Sequence, residues 1–303
     1  MKIVSLLPSA TEIVFALGLE DDLSAVTDEC DHPDAARDKP VVSRTALPQG
    51  PPLGAGEIDR LVRASMDRQE SLYTLDRDLI QQFQPDLILT QDLCRVCAVP
   101  SGQVSDALAE LGCHAEVLSI DPHSLDEILD GIEAVGRATG TDDRAEELVA
   151  ELRTRVDRVR TSAARLLTIG ALAIEWSDPP FVAGHWIPGM LRLAGGESLL
   201  NEPGEPSRQV GWRGVADAAP EVVVFMPCGY YLEDAIDEAE GLFEIPDFAN
   251  TPAARSGTVF ATDATSYFSR PGPRIVDGLE ILAWCLHPDA FPRPPADRVA
   301  AVG

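Results

Sequence analysis

Ile3-Val4-Ser5-Leu6-Leu7-Pro8-Ser9-Ala10-Thr11-Glu12, continuing through Ile13-Val14-Phe15-Ala16-Leu17-Gly18, opens the chain and decides its fold class. Residues 3–7 form a short, nearly unbroken apolar run, the pattern of a strand covered on both faces. Ser9 reads as a helix N-cap, Glu12 as its capping-box partner and Gly18 as the stop. Strand followed at once by capped helix is the opening half of a parallel β-α-β unit.

The alternation continues outward from there. Strands are expected at residues 23–27, 41–43, 87–90 and 116–119, with helices at 57–64, 76–83 and 103–111. A more helical texture follows. Ser124 and Glu127 form a second capping box, and Leu148, Leu152, Val156 and Val159 recur at helical spacing in a segment long enough to bridge two domains. After Arg165 the alternation restarts, with strands expected at 166–175, 221–226 and 258–262 and a last amphipathic helix at 273–286. The expected organisation is an N-terminal α/β lobe at 1–121, a helical connector at 122–164 and a C-terminal α/β lobe at 165–303, each lobe a mainly parallel Rossmann-like sheet. The proline-rich tail after His287 is expected to be a surface strap or a frayed end.

Composition narrows the function. Of 303 residues, 50 are acidic and 24 are Lys or Arg, a net charge of −26. Such a surface repels phosphate backbones and anionic headgroups, so nucleic acid and membrane surfaces are excluded as partners. The N-terminal apolar run stops at Pro8 and no stretch reaches membrane-spanning length, so no signal peptide or transmembrane segment is read and a cytoplasmic location is expected. In a reducing compartment Cys30, Cys94, Cys97, Cys113, Cys228 and Cys285 are expected to be thiols or metal ligands.

Ligands of open parallel sheets bind beyond the carboxyl ends of the strands. Applied strand by strand, that rule selects Ser9, then Cys30 and Asp31, then Asp92, Cys94 and Cys97 in the first half. In the second half it selects Glu175 and Trp176, then His185 and Trp186, then Cys228 and Tyr230, and finally Tyr267, Phe268 and Arg270. Trp212, in a loop ahead of a helix, joins them. Loop aromatics in this number offer flat, rigid faces to a bulky small molecule. Cys94-Arg95-Val96-Cys97 is a lone C-x-x-C. With Cys30 and Cys228 it could complete a four-thiolate zinc or iron–sulfur site, which would make the chain a metal-dependent enzyme or sensor. Inert thiols or direct contact with an organic ligand are the alternatives. Cys113 and Cys285 read as buried small hydrophobes. No phosphate-binding glycine loop, G-x-S-x-G elbow or H-E-x-x-H motif occurs, so binding is favoured over catalysis.

Seven motifs, taken in series, resemble the class III substrate-binding proteins of ABC transporters. They are Leu6-Leu7-Pro8-Ser9-Ala10-Thr11-Glu12, Asp31-His32-Pro33, Gln84-Pro85-Asp86-Leu87-Ile88-Leu89, Pro180-Phe181-Val182-Ala183-Gly184, Leu193-Ala194-Gly195-Gly196, the segment 212–225, and Arg270-Pro271-Gly272-Pro273-Arg274-Ile275. The resemblance covers nearly the whole chain and is nearest to the cobalamin-binding branch. It implies two lobes joined by a rigid helix, a ligand held between them, and a ligand class of cobalamin, haem, siderophores or metal ions, with cobalamin first. Carried over to matching positions, contacts come from Ser9, the loop at Cys30 and Asp31, Trp212, and the loop 266–268. Two departures stand out. Exported members carry a leader or lipid anchor that is not read here, so an ABC permease is an expected partner only if the chain is exported by another route. Residues 91–97, with their paired cysteines, have no counterpart in the cobalamin-binding branch.

Overall fold

The computed structural model describes residues 1–48, 53–68, 71–93 and 99–303. The chain divides into two compact units, Met1–Pro122 with Glu127–Ala150 and His123–Asp126 with Glu151–Gly303. The helical stretch at 122–164 is shared between them.

In the first unit Ile3–Ser5 (β1), Pro8–Ala16 (α1), Leu23–Thr27 (β2), Val41–Thr45 (β3), Ala55–Asp67 (α2), Tyr73–Leu75 (β4), Arg77–Phe83 (α3), Leu87–Thr90 (β5), Ser101–Leu111 (α4) and Glu116–Ser119 (β6) precede the helices Leu125–Thr139 (α5) and Asp142–Ala163 (α6). The sheet order is β4-β3-β2-β1-β5-β6. Every neighbouring pair is parallel except β3 and β4. Chain order reverses between β1 and β5, so the crevice beyond their carboxyl ends is the natural binding position of this unit. The apolar opening run is explained by burial: Ile3 and Val4 are 0% exposed, and Val4 packs with Ala25, Val42, Ile88 and Val104.

The opening helix departs from the sequence reading in one respect. Leu7, not Ser9, is its N-cap, with Pro8 in the first turn and no side-chain cap. Proline suits that position because the first turn needs no N–H there. Ser9 is thereby drawn into the helix, and its buried hydroxyl has no hydrogen-bond partner. The stop at Gly18 is as expected: φ is +68°, and a Cβ there would collide with the Arg144 guanidinium, whose Nη1 donates to Leu17 O at 2.7 Å. Arg144, on α6, thus holds the end of α1, where a cation complements the helix dipole.

In the second unit the order is Ile169–Ser177 (β7), Pro180–Val182 (β8), Ile187–Leu193 (α7), Gly196–Ser198 (β9), Arg208–Gln209 (β10), Trp212–Ala218 (α8), Val222–Phe225 (β11), Leu232–Leu242 (α9), Pro246–Ala249 (α10), Pro252–Ser256 (α11), Val259–Thr262 (β12), Ala264–Tyr267 (α12), Ile275–Leu286 (α13) and Val299–Ala301 (β13). The sheet runs β10-β8-β7-β11-β12-β13, with β9 also on β7. Its centre, β7-β11-β12, is parallel, and β11 and β12 are buried along their whole length. Phe225, 0% exposed, anchors a core with Leu172, Ile174, Val215, Phe248 and Ala261. Truncating such a ring to Ala typically costs about 3–5 kcal/mol.

Two expectations are corrected here. The tail is no strap, because its last residues form β13, antiparallel to β12 and closing that sheet edge. Trp212 does not precede a helix in a loop: it is the first residue of α8, behind Gly211 as N-cap.

Candidate functional site

In the second unit the carboxyl ends of β7, β11 and β12 converge on one surface. Phe225 pairs with Ile174, so the residues that follow β11 emerge beside the end of β7. Cys228 N donates to Glu175 O at 3.3 Å, and Thr265 N donates to Tyr230 O at 3.1 Å, which ties the loop after β11 to both neighbours. The Trp176 and Tyr230 rings meet edge to face, centroids 5.8 Å apart at 79°. That geometry complements the ring quadrupoles. Trp176 Nε1 also donates to Asp178 O at 3.2 Å, which fixes the indole's orientation. Both rings are half-buried and Cys228 is exposed. The Thr265 hydroxyl, at the start of α12, is buried without a partner.

The charge state of this surface is set by burial. Desolvation pushes the Glu175 carboxyl up to about 7, against the opposing hydrogen bond from Ser207. Tyr230 is raised above its ordinary value, first by desolvation and then by Glu238 and Asp234. Beside the end of β7 a groove of about 400 Å³ is lined by Ser177, Asp178, Trp212, Asp237, Glu238 and Leu242, among others. Among its lining residues, the Ser177 hydroxyl donates to Glu238, and Trp212 packs edge to face on Phe248, centroids 5.7 Å apart.

Other second-unit residues selected from the sequence have different surroundings. β8 runs antiparallel to β7, and Ala183 N bonds to Ala173 O. Gly184, His185 and Trp186 therefore run back along β7 instead of standing beyond its carboxyl end. The strand-end rule misplaces them because it treats β8 as a parallel strand. Trp186 is buried, its Nε1 donating to Phe268 O at 3.0 Å, and Phe268 itself is 2% exposed. Tyr267 is half-buried, with the Arg298 guanidinium 4.8 Å and that of Arg274 5.7 Å from its ring centroid. Arg270 is 7% exposed.

In the first unit the strand ends turn inward. The Thr11 hydroxyl donates to Ser5 Oγ at 2.8 Å and lies 3.1 Å from Cys30 Sγ; Ser5 Oγ in turn donates to Leu7 O at 2.9 Å. Cys30, 4% exposed, is thus built into the packing between α1 and β2. Asp31 is paired with Arg37 at 3.7 Å. Beyond β5 and β6, Asp92 accepts from Ser101 N at 2.8 Å and from the Ser101 hydroxyl, while Asp121 accepts from Leu93 N at 2.8 Å. The Ser101 hydroxyl holds the Asp92 carboxyl below the usual carboxylate range despite the opposing effect of burial.

Cys94 and Cys97 lie outside the described residues. Among the described residues no group of three or more His, Cys, Asp or Glu is placed to hold a metal ion. Cys30 is buried against the Thr11 hydroxyl, 3.1 Å from its sulfur. The four-thiolate reading therefore has no structural support. Cys113 and Cys285 are buried, and desolvation raises the Cys285 thiol strongly. No helix among the described residues is long and apolar enough to cross a membrane.

A family model described as periplasmic binding protein matches residues 3–265. The chain belongs to that family. Among similar proteins, the vitamin B12-binding protein of Vibrio cholerae is 28% identical over 283 residues, covering 92% of this chain and 86% of the relative. An ABC transporter substrate-binding lipoprotein of Bacillus subtilis, itself uncharacterized, is 24% identical over 301 residues, covering 96% of this chain and 81% of the relative. Two solved structures share the periplasmic binding protein fold. The periplasmic vitamin B12-binding protein of Vibrio cholerae has a TM-score of 0.69 at 25% identity, covering 94% of this chain and 96% of that one. A periplasmic haem-binding protein from Pseudomonas aeruginosa has a TM-score of 0.74 at 22% identity, covering 100% of this chain and 98% of that one.

Proposed function

We propose that this periplasmic binding protein binds a corrinoid of the cobalamin class, contacting it with the strand-end loops that carry Trp176, Cys228 and Tyr230. The single observation that carries the reading is the edge-to-face pair of Trp176 and Tyr230 at the carboxyl ends of neighbouring parallel strands, oriented by backbone bonds. Rigid, partly exposed aromatic faces bury large ligand area at little entropic cost. Trp212 extends the aromatic surface along the adjoining groove. The cobalamin class, in preference to other bulky ligands, is supported by the sequence likeness to the Vibrio cholerae vitamin B12-binding protein. An ABC permease is the partner class that family membership supports.

The decisive experiment is an absorbance titration. Aquocobalamin added to the full chain at micromolar concentration is expected to shift its visible bands and to saturate at one equivalent. Saturable binding of haemin with no response to aquocobalamin would contradict the corrinoid assignment. No response to either would contradict the ligand class altogether.

A further inference from the structure

His123 and His185, far apart in sequence, are brought together within the second unit, ring centroids 5.7 Å apart and planes inclined at 58°. His185 has two marks of a constrained functional group. Its backbone lies in the left-handed region at φ +52°, which a residue bearing a Cβ adopts only at a cost of about 1–2 kcal/mol. Its Nδ1 is buried and has no hydrogen-bond partner, an arrangement that also costs free energy unless something fills the gap.

The neighbouring chain enforces this conformation. His185 N donates to Glu205 O at 2.7 Å, and Gly204 N donates back to His185 O at 2.9 Å. Gly184 lies so close to the backbone of Pro206 and Ser207 that any Cβ there would collide with it. The imidazole is thereby held on a rigid support, while His123 presents an exposed ring at the surface.

We propose that His123 and His185 form a two-imidazole site for a free borderline divalent transition-metal ion of the zinc or nickel class. Imidazole is a preferred ligand for such ions. An ion about 2.0–2.1 Å from one nitrogen of each ring sits about 3.2 Å from each centroid. With the centroids 5.7 Å apart, the angle at the ion is then about 125°, close to tetrahedral or trigonal geometry. Metal ligands must be unprotonated. Burial, and then the neighbouring His123, hold the His185 pKa below its ordinary value, which favours the metal-binding form at neutral pH. No third His, Cys, Asp or Glu among the described residues completes a cluster, so water fills the remaining positions and micromolar affinity is expected.

The site is independent of the corrinoid reading and is tested separately. The full chain, its thiols blocked with N-ethylmaleimide, is titrated with Ni²⁺ and with Zn²⁺ at neutral pH by calorimetry. One ion per chain is expected, and His123→Ala and His185→Asn are each expected to weaken binding at least about tenfold. Asn tolerates the left-handed backbone, so His185→Asn removes the ring without straining the turn. His123 is exposed, so His123→Ala tests the same point without disturbing the core. Wild-type affinity in both variants, or no binding to the unmutated chain, overturns the proposal. Aquocobalamin binding is expected to be unchanged in His123→Ala; its loss in parallel with the ion would overturn the assignment to a free ion.

Discussion

The strand ends of the two units use the same topological position in opposite ways. In the first unit, Ser5, Thr11 and Cys30 join α1 to β2 by a chain of buried polar contacts. In the second, Trp176 and Tyr230 keep part of each ring uncovered and find their main aromatic partner in each other. Inward-turned polar groups rigidify a loop; outward-turned rings equip it to meet a ligand. Shared topology therefore does not assign shared work, and each loop must be read from what its side chains touch.

This contrast predicts different consequences for mutation on the two sides. The largest effect on stability is expected at Glu175. Its carboxyl keeps its proton to about pH 7 when folded, whereas its ordinary value is 4.5. The native state therefore binds more protons across that interval, and stability falls as pH rises from 4.5 to about 7. Glu175→Gln removes that dependence. Denaturant unfolding should show it stabilised relative to the unmutated chain by roughly 1–3 kcal/mol more at alkaline pH than at acidic pH. A constant difference across the range would break the account of this carboxyl.

A smaller effect is expected in the first unit. Thr11→Val keeps the shape and removes the hydroxyl between Ser5 and Cys30, which should cost about 1–2 kcal/mol in unfolding free energy. Ligand affinity should stay within about twofold, since no ligand contact is assigned to that hydroxyl. The smallest effect is expected at the long ion pair between exposed Arg37 and half-buried Asp31. Arg37→Ala should change stability by less than about 0.5 kcal/mol and soften the salt dependence only slightly.

Most of the fold is legible in the sequence. β1, β2, β5, β11 and β12 are signalled by mainly apolar runs, because a parallel strand covered on both faces has no polar side to show. The antiparallel edges are not legible. β4, β10 and β13 are two or three residues long, and their pairing is set by partners far away in sequence. The direction of β8, which sends His185 back along the sheet, is likewise written in no local pattern. At the site, the strand-end rule finds Trp176, Cys228 and Tyr230 because they follow parallel neighbours. It misses His123, which lies in the turn before α5 and gains meaning only through the ring it meets. Ser9 departs from its expected role, since a capping hydroxyl would have a partner and this one, inside the helix, has none.

The central claim is that the aromatic loops of the second unit hold the ligand and the inward-turned contacts of the first do not. The most direct test compares the aquocobalamin dissociation constant of the Trp176→Ala, Tyr230→Ala double variant with that of Thr11→Val, each measured by absorbance titration on folded protein. A loss of about 10–100-fold in the double variant, with Thr11→Val near the unmutated value, is the predicted result. Unmutated affinity in the double variant, or an equal loss in both proteins, would contradict it.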